Sequence, residues 1–201
     1  MSRKFRNKYR IESARLQHWD YGSNAMYFVT ICTHNREHYF GKIADGKMEL
    51  SEIGKMVEYE WLKTFELRPD MNLYMGEFVV MPNHFHAVIG IGGNQYNTQR
   101  GGARCTGAMH CAATAAAITA AASTTAATDT QNRFGPQSKN LASIIRGFKS
   151  AVTKFARINH INFEWQSRFW DHIIRNDGSF QRISDYIMNN PMKWSNDKFF
   201  Q

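Results

Sequence analysis

Two apolar, β-branched runs at 73–81 and 84–91 are separated only by Pro82-Asn83. Parallel strands need a crossover of about a dozen residues or more, so strands joined this closely run antiparallel. A third strand is expected at 25–33, and a short-strand region at 41–50, where Asp45-Gly46 is a hairpin signal. Ser51 opens a helix that places Ile53, Val57, Trp61 and Phe65 on one face. Residues 140–158 form an amphipathic helix with an apolar stripe of Leu141, Ile144, Ile145, Phe148, Val152 and Phe155. The order strand, helix, strand, strand, helix predicts an α+β domain on an antiparallel sheet.

The second run of the hairpin begins His84-Phe85-His86. Side chains alternate faces along a strand, so His84 and His86 share one face and Phe85, Ala87 and Ile89 take the other. Two neutral imidazoles at that spacing can grip one divalent metal. Taken alone, a His-x-His pair is more often a pair of surface or core histidines.

A second element changes that balance. In the run from Ser179 to Pro191, Ser179 is a candidate N-cap and Phe180, Ile183 and Ile187 recur at helical spacing. Arg182, Tyr186 and Asn190 are spaced by four and share a stripe. Pro191 restricts Asn190 and ends the helix. A phenol and an amide one turn apart can reach the same phosphate. The phenol can act as a nucleophile and the amide can supply an oxygen ligand. A tyrosine packed at a surface is the plainer reading of the phenol alone.

Lys and Arg outnumber Asp and Glu by 25 to 17 in 201 residues, giving a net charge of +8. That excess suits a polyanion, and nucleic acid is the commonest one. Arg146, Lys149, Lys154 and Arg157 lie largely off the apolar stripe of the 140–158 helix and can meet phosphates. They are equally the wet side of a core helix. Residues 1–20 read as a basic N-terminal arm with Phe5 and Tyr9 among its charges, able to stack on bases or simply to be solvated. No apolar run approaches the roughly 20 residues of a membrane span. Three cysteines without a secretory signal indicate a reducing, cytoplasmic compartment. Residues 97–135 read as a low-complexity insertion: from 112 to 128 there are only Ala, Thr, Ser and one Ile, too little bulk to offset ordering entropy. Cys105, His110 and Cys111 lie within it, without the second cysteine pair of a zinc cage.

In order along the chain, four segments resemble the single-tyrosine HUH transposases of the IS200-like group, most closely the REP-associated tyrosine transposases. They are Tyr27-Phe28-Val29-Thr30-Ile31-Cys32-Thr33-His34-Asn35-Arg36-Glu37, Val80-Met81-Pro82-Asn83-His84-Phe85-His86, the run from Trp165 to Arg175, and Asp185-Tyr186-Ile187-Met188-Asn189-Asn190-Pro191. The resemblance covers nearly the whole chain outside residues 97–135, and the expected transposase domain is 21–96 with 136–201. It implies a ferredoxin-like antiparallel sheet with the histidines on a central strand and helices packed on it. It further implies Tyr186 as nucleophile, leaving a 5′-phosphotyrosine and a free 3′-hydroxyl. His84, His86 and Asn190 are the implied ligands of a divalent metal, Mg²⁺ or Mn²⁺, with Asn189 the adjacent competitor. The implied partner is single-stranded DNA beside imperfect hairpins, handled by a monomer or a homodimer in a bacterial cytoplasm, at the nucleoid. Arg146, Lys149, His172, Arg175 and Arg182 are further candidates for DNA contact; for His172 a hydrogen-bonded structural role competes. Three other functions stay open: a domesticated nuclease without transposition, a non-catalytic hairpin-binding protein, and a hydrolase that uses metal-activated water.

Overall fold

A computed structural model describes residues 16, 19–98 and 138–200. The expected arm (apart from Leu16, Trp19 and Asp20) and almost all of the expected insertion, with Cys105, His110 and Cys111, lie outside the described residues.

Four strands form the main sheet: β1 (Ala25–Cys32), β4 (Leu73–Met81), β5 (His84–Ile91) and β6 (Trp170–Ile174). Helix α1 (Glu52–Glu66) links β1 to β4, and α2 (Leu141–Ile158) links β5 to β6. The order across the sheet is β4-β5-β1-β6, with each neighbouring pair antiparallel. This βαββαβ path, with its first and third core strands at the centre, is the ferredoxin-like arrangement expected from the sequence. A separate two-stranded hairpin, β2 (Gly41–Ala44) and β3 (Lys47–Leu50), precedes α1. Its turn residues Asp45 and Gly46 both have positive φ, 50° and 71°, as a two-residue hairpin turn requires.

The central strands β1 and β5 are buried along their whole length. Both of their faces are therefore covered, and by different layers. Phe85, Ala87 and Ile89 of β5 join Tyr27, Val29 and Ile31 of β1 against α1 and α2. Trp61 of α1 is the hub of that layer: it is fully buried and meets Phe85, Phe148 and Phe65 edge-on at 5.1–5.5 Å. Trp61→Ala is expected to cost about 3–5 kcal/mol in a denaturant titration, because the surrounding rings cannot close over the space. On the opposite face, Met26, Phe28, Val88 and Ile174 pack against Ile187 of a third helix, α3 (Asp177–Asn189).

The local signals are mostly the expected ones. Ser51 caps α1, its hydroxyl accepting from the Gly54 amide, and Asn140 caps α2 through a capping box with Ser143. One expectation is corrected, and one strand was not anticipated. The N-cap of α3 is Asn176, not Ser179: Asn176 Oδ1 accepts from the Ser179 amide at 2.8 Å, so Ser179 sits inside the first turn. The run from Trp165 to Arg175 also contains a strand, β6, that its alternation did not reveal. β6 is an edge strand, and only part of it is buried. Asp70 joins the chain on both sides of the expected insertion. Its carboxylate accepts from the Tyr96 hydroxyl at 2.9 Å and pairs with Lys139.

Candidate metal and tyrosine site

Strand β5 turns His84 and His86 to the face that carries α3. Their rings lie 4.5 Å apart and are only 0% and 1% exposed. Each ring is held from behind. Asn83 Nδ2 donates to the Phe199 carbonyl at 2.8 Å, which leaves Asn83 Oδ1 facing His84 Nδ1 at 2.9 Å. An amide oxygen only accepts, so Nδ1 of His84 carries the hydrogen and Nε2 presents a lone pair. His86 Nδ1 is 2.9 Å from the Thr30 hydroxyl, which the register places directly opposite on β1. Second partners of this kind fix the tautomer and aim of a metal-binding histidine.

Helix α3 brings the remaining groups. Tyr186 and Asn190 lie four residues apart at its C-terminal end, so both reach the same place. The Tyr186 hydroxyl is 3.2 Å from His86 Nε2 and 3.2 Å from Asp197 Oδ2. Asn190 Nδ2 donates to the same Asp197 oxygen at 3.1 Å. Of the two adjacent amides, Asn190 is the buried one facing the site. Asn189 is exposed and donates to the Asp185 carbonyl at 2.6 Å.

A metal fits the donor set. His84, His86 and Asp197 each offer a ligand atom, all within 4.8 Å of one another. Two further observations point to an absent partner. His84 Nε2 and Asn190 Oδ1 are both buried without a hydrogen bond, a cost that folded proteins seldom leave standing. The oxygens of Asp197 are engaged instead: Oδ1 accepts from the Phe199 amide and Oδ2 from Tyr186 and Asn190.

Burial sets the electrostatics. It pushes the His86 imidazole down to about 3, and it lowers His84 well below the usual histidine range, helped by His86 and Arg36. Both rings are therefore neutral at pH 7, the form that binds metal. Burial first and then the Asp197 carboxylate push the Tyr186 phenol up to about 12. The depressed histidines have a consequence for stability. Between pH 6.5 and the folded value, the unfolded chain binds the proton and the folded chain does not. The contribution is thus complete above about pH 6.5 and is lost as pH falls toward 3. From pH 7 to 5, His86 alone should remove about 2 kcal/mol from the metal-free protein. Urea midpoints at the two pH values check this, with a shallower pH dependence expected for His86→Gln.

The segment after α3 roofs the site. Phe199 lies 4.4 Å from the His84 ring and 5.8 Å from His86, and Trp194 lies 5.9 Å from His84. Arg36 stacks over Phe199 at 4.2 Å.

The structure places His84, His86, Tyr186 and Asn190 in one cluster. Asp197, Thr30 and Asn83 belong to the same cluster. Asn83 adjoins the histidines and Thr30 is fixed by strand register, but Asp197 lies eleven residues beyond Tyr186 with no motif to mark it. The other candidates are not part of this cluster. Arg175 and Arg182 are exposed, at the end of β6 and on α3. His172 is exposed on β6, parallel to Trp170. Arg146 and Lys149 are on α2, across the sheet from the histidines. With Lys154, Arg157, Trp165 and Phe169 they line a groove along that helix. Lys149 is half-committed there: its Nζ donates to the Gln166 carbonyl at 2.6 Å, and burial lowers it to about 8.

No protein-family model matches the chain. An uncharacterized protein of Haemophilus influenzae is 33% identical over 189 residues, covering 94% of this chain and 92% of its own length. The chain belongs to that protein's family. A solved REP-associated tyrosine transposase bound to a REP hairpin superposes with a TM-score of 0.52 at 18% identity, over 93% of this chain and 77% of the other. This chain has the REP-associated tyrosine transposase fold. Strand β5 carries His84 and His86 on one face. Among the described residues, no helix is long and apolar enough to cross a membrane.

Proposed function

We propose that the protein is a single-strand DNA transesterase of the transposase kind, cutting beside hairpins through a covalent bond to Tyr186. The observation that carries this is the convergence of a half-exposed phenol, two buried neutral imidazoles and a buried, unsatisfied amide oxygen in one cluster. The hairpin-bound transposase of the same fold supports the choice of DNA substrate. The net charge of +8 supports a polyanion.

His84 Nε2, His86 Nε2 and Asn190 Oδ1 would hold the metal, with Asp197 adding a negative charge beside it; Mg²⁺ or Mn²⁺ suits two imidazoles and oxygen donors. A bound divalent cation would polarise the scissile phosphate and offset its developing charge. Asn83 and Thr30 hold the two imidazoles in the required tautomer and direction. Helix α3 presents Tyr186 Oη toward the phosphorus. Oη forms the new bond to phosphorus, the bond to the 3′-oxygen breaks, and that oxygen leaves as a 3′-hydroxyl after taking a proton from solvent water. The phenolic proton has two acceptors at 3.2 Å, His86 Nε2 and Asp197 Oδ2; with His86 turned to a cation, Asp197 remains. The 5′-phosphotyrosine conserves the energy of the cleaved linkage, so a second 3′-hydroxyl can reverse the step. Such an enzyme acts in the cytoplasm, at the nucleoid.

The test is a denaturing gel of hairpin-flanked single-stranded oligonucleotides, drawn from repeats beside the gene, incubated with Mg²⁺ or Mn²⁺. A protein–DNA adduct that disappears with chelator is expected. Metal-dependent cleavage without an adduct would replace this reading with a water-using nuclease. Tight binding without cleavage across several hairpins would leave a DNA-binding protein.

A further inference from the structure

We propose that Trp170, backed by His172, is a nucleobase platform that holds a base of the single strand beside the catalytic tyrosine. This rests on the single-strand DNA reading above and names how that strand is gripped. Trp170 is half exposed on edge strand β6. Its ring is not loosely placed. It lies parallel to His172 two residues on, with 4° between the planes and 6.0 Å between centroids. Phe28 meets it edge-on at 5.6 Å, and the same Phe28 meets Tyr186 edge-on at 6.2 Å. Ring contacts thus run from the phenol through buried Phe28 to the edge of the sheet.

Register fixes where that surface sits. His86, Thr30 and Trp170 lie in one row across β5, β1 and β6, and paired residues project to the same face. Two strand spacings place the Trp170 backbone about 10 Å from that of His86. A base next to a phosphate held at the histidines is within reach of the indole. Arg168 and Arg175 are exposed on either side of β6, suitably charged for the flanking phosphates. Base stacking is tolerant of sequence because every base has a π-face, so the platform would grip a strand without reading it. The base lies on the open face of Trp170 rather than between the two rings. Insertion needs two stacking spacings, about 6.8 Å at about 3.4 Å each, and the rings are 6.0 Å apart.

The experiment is fluorescence anisotropy of labelled hairpin DNA carrying a single-stranded flank, with an abasic residue moved one position at a time along it. Wild type should lose affinity at one position near the cut. Trp170→Ala should bind the intact oligonucleotide about 5- to 100-fold more weakly and be indifferent to the abasic residue at that position. Trp170→Phe should retain most of both effects, which a merely structural role would not produce. The platform is overturned if Trp170→Ala, folded by circular dichroism, binds within twofold of wild type, or if the abasic penalty is the same in both. Base-dependent binding in a wild type that forms no adduct would remove the tyrosine chemistry and leave the platform standing. Failure of wild type to bind any single strand would remove both.

Discussion

Tyr186→Phe abolishes the covalent adduct while leaving the fold and the binding of hairpin DNA within about twofold of wild type. The loss in adduct formation should be on the order of 10⁴-fold or more, as for removal of other enzyme nucleophiles. The substitution takes away one atom, the oxygen that forms the bond to phosphorus. The rest of the ring keeps its edge contact with Phe28 at 6.2 Å. The hydroxyl's partners, His86 Nε2 and Asp197 Oδ2, are each at 3.2 Å and the side chain is 39% exposed. Losing those bonds should therefore cost at most about 1 kcal/mol in a thermal melt. A gel with radiolabelled oligonucleotide reads the adduct, and anisotropy reads the binding. Residual cleavage at more than a few per cent of wild type would mean that water can do the attacking.

The second large effect is at the metal ligands. His84→Ala and His86→Ala should each weaken Mn²⁺ binding by more than the 10- to 100-fold typical of outer partners, with adduct formation falling in parallel. Isothermal titration of the DNA-free protein reads the affinity. Asn190 and Asp197 are separated by the same titration. Asn190 Oδ1 is buried and unpartnered, whereas both oxygens of Asp197 already accept hydrogen bonds. Asn190→Ala should therefore weaken the metal at least as much as Asp197→Ala does. A larger loss in Asp197→Ala would make the carboxylate the third ligand. Thr30→Val tests the layer behind: it removes the hydroxyl 2.9 Å from His86 Nδ1, and it should cost about 10-fold in affinity.

The parts of this protein that could be read from its sequence are those where periodicity and chemistry agree. The 73–91 hairpin was legible because Pro82-Asn83 is too short for any other connection. The face of His84 and His86 followed from strand alternation, and the pairing of Tyr186 with Asn190 from helical spacing. Strand β6 was not legible, because an edge strand of five residues, two of them exposed, has no apolar alternation to show. Asn176 displaced Ser179 as the cap because both are good cap residues three apart, and only the position of the first turn decides between them. Asp197 and Phe199 were invisible for a different reason. They reach the site by the path of the chain after Pro191, and no local pattern records where an irregular segment lands. Trp170 and His172 are paired only once β6 is known to be a strand, since two residues along a strand is what makes their rings parallel neighbours.

The most direct measurement is peptide mass spectrometry of the adduct after nuclease and protease digestion. If Tyr186 is the nucleophile, the peptide spanning 183–193 carries the added mass of a nucleotide joined through its 5′-phosphate, and the released strand ends in a 3′-hydroxyl. A modified residue other than Tyr186, or cleaved strands bearing free 5′-phosphates with no modified peptide at all, would contradict it.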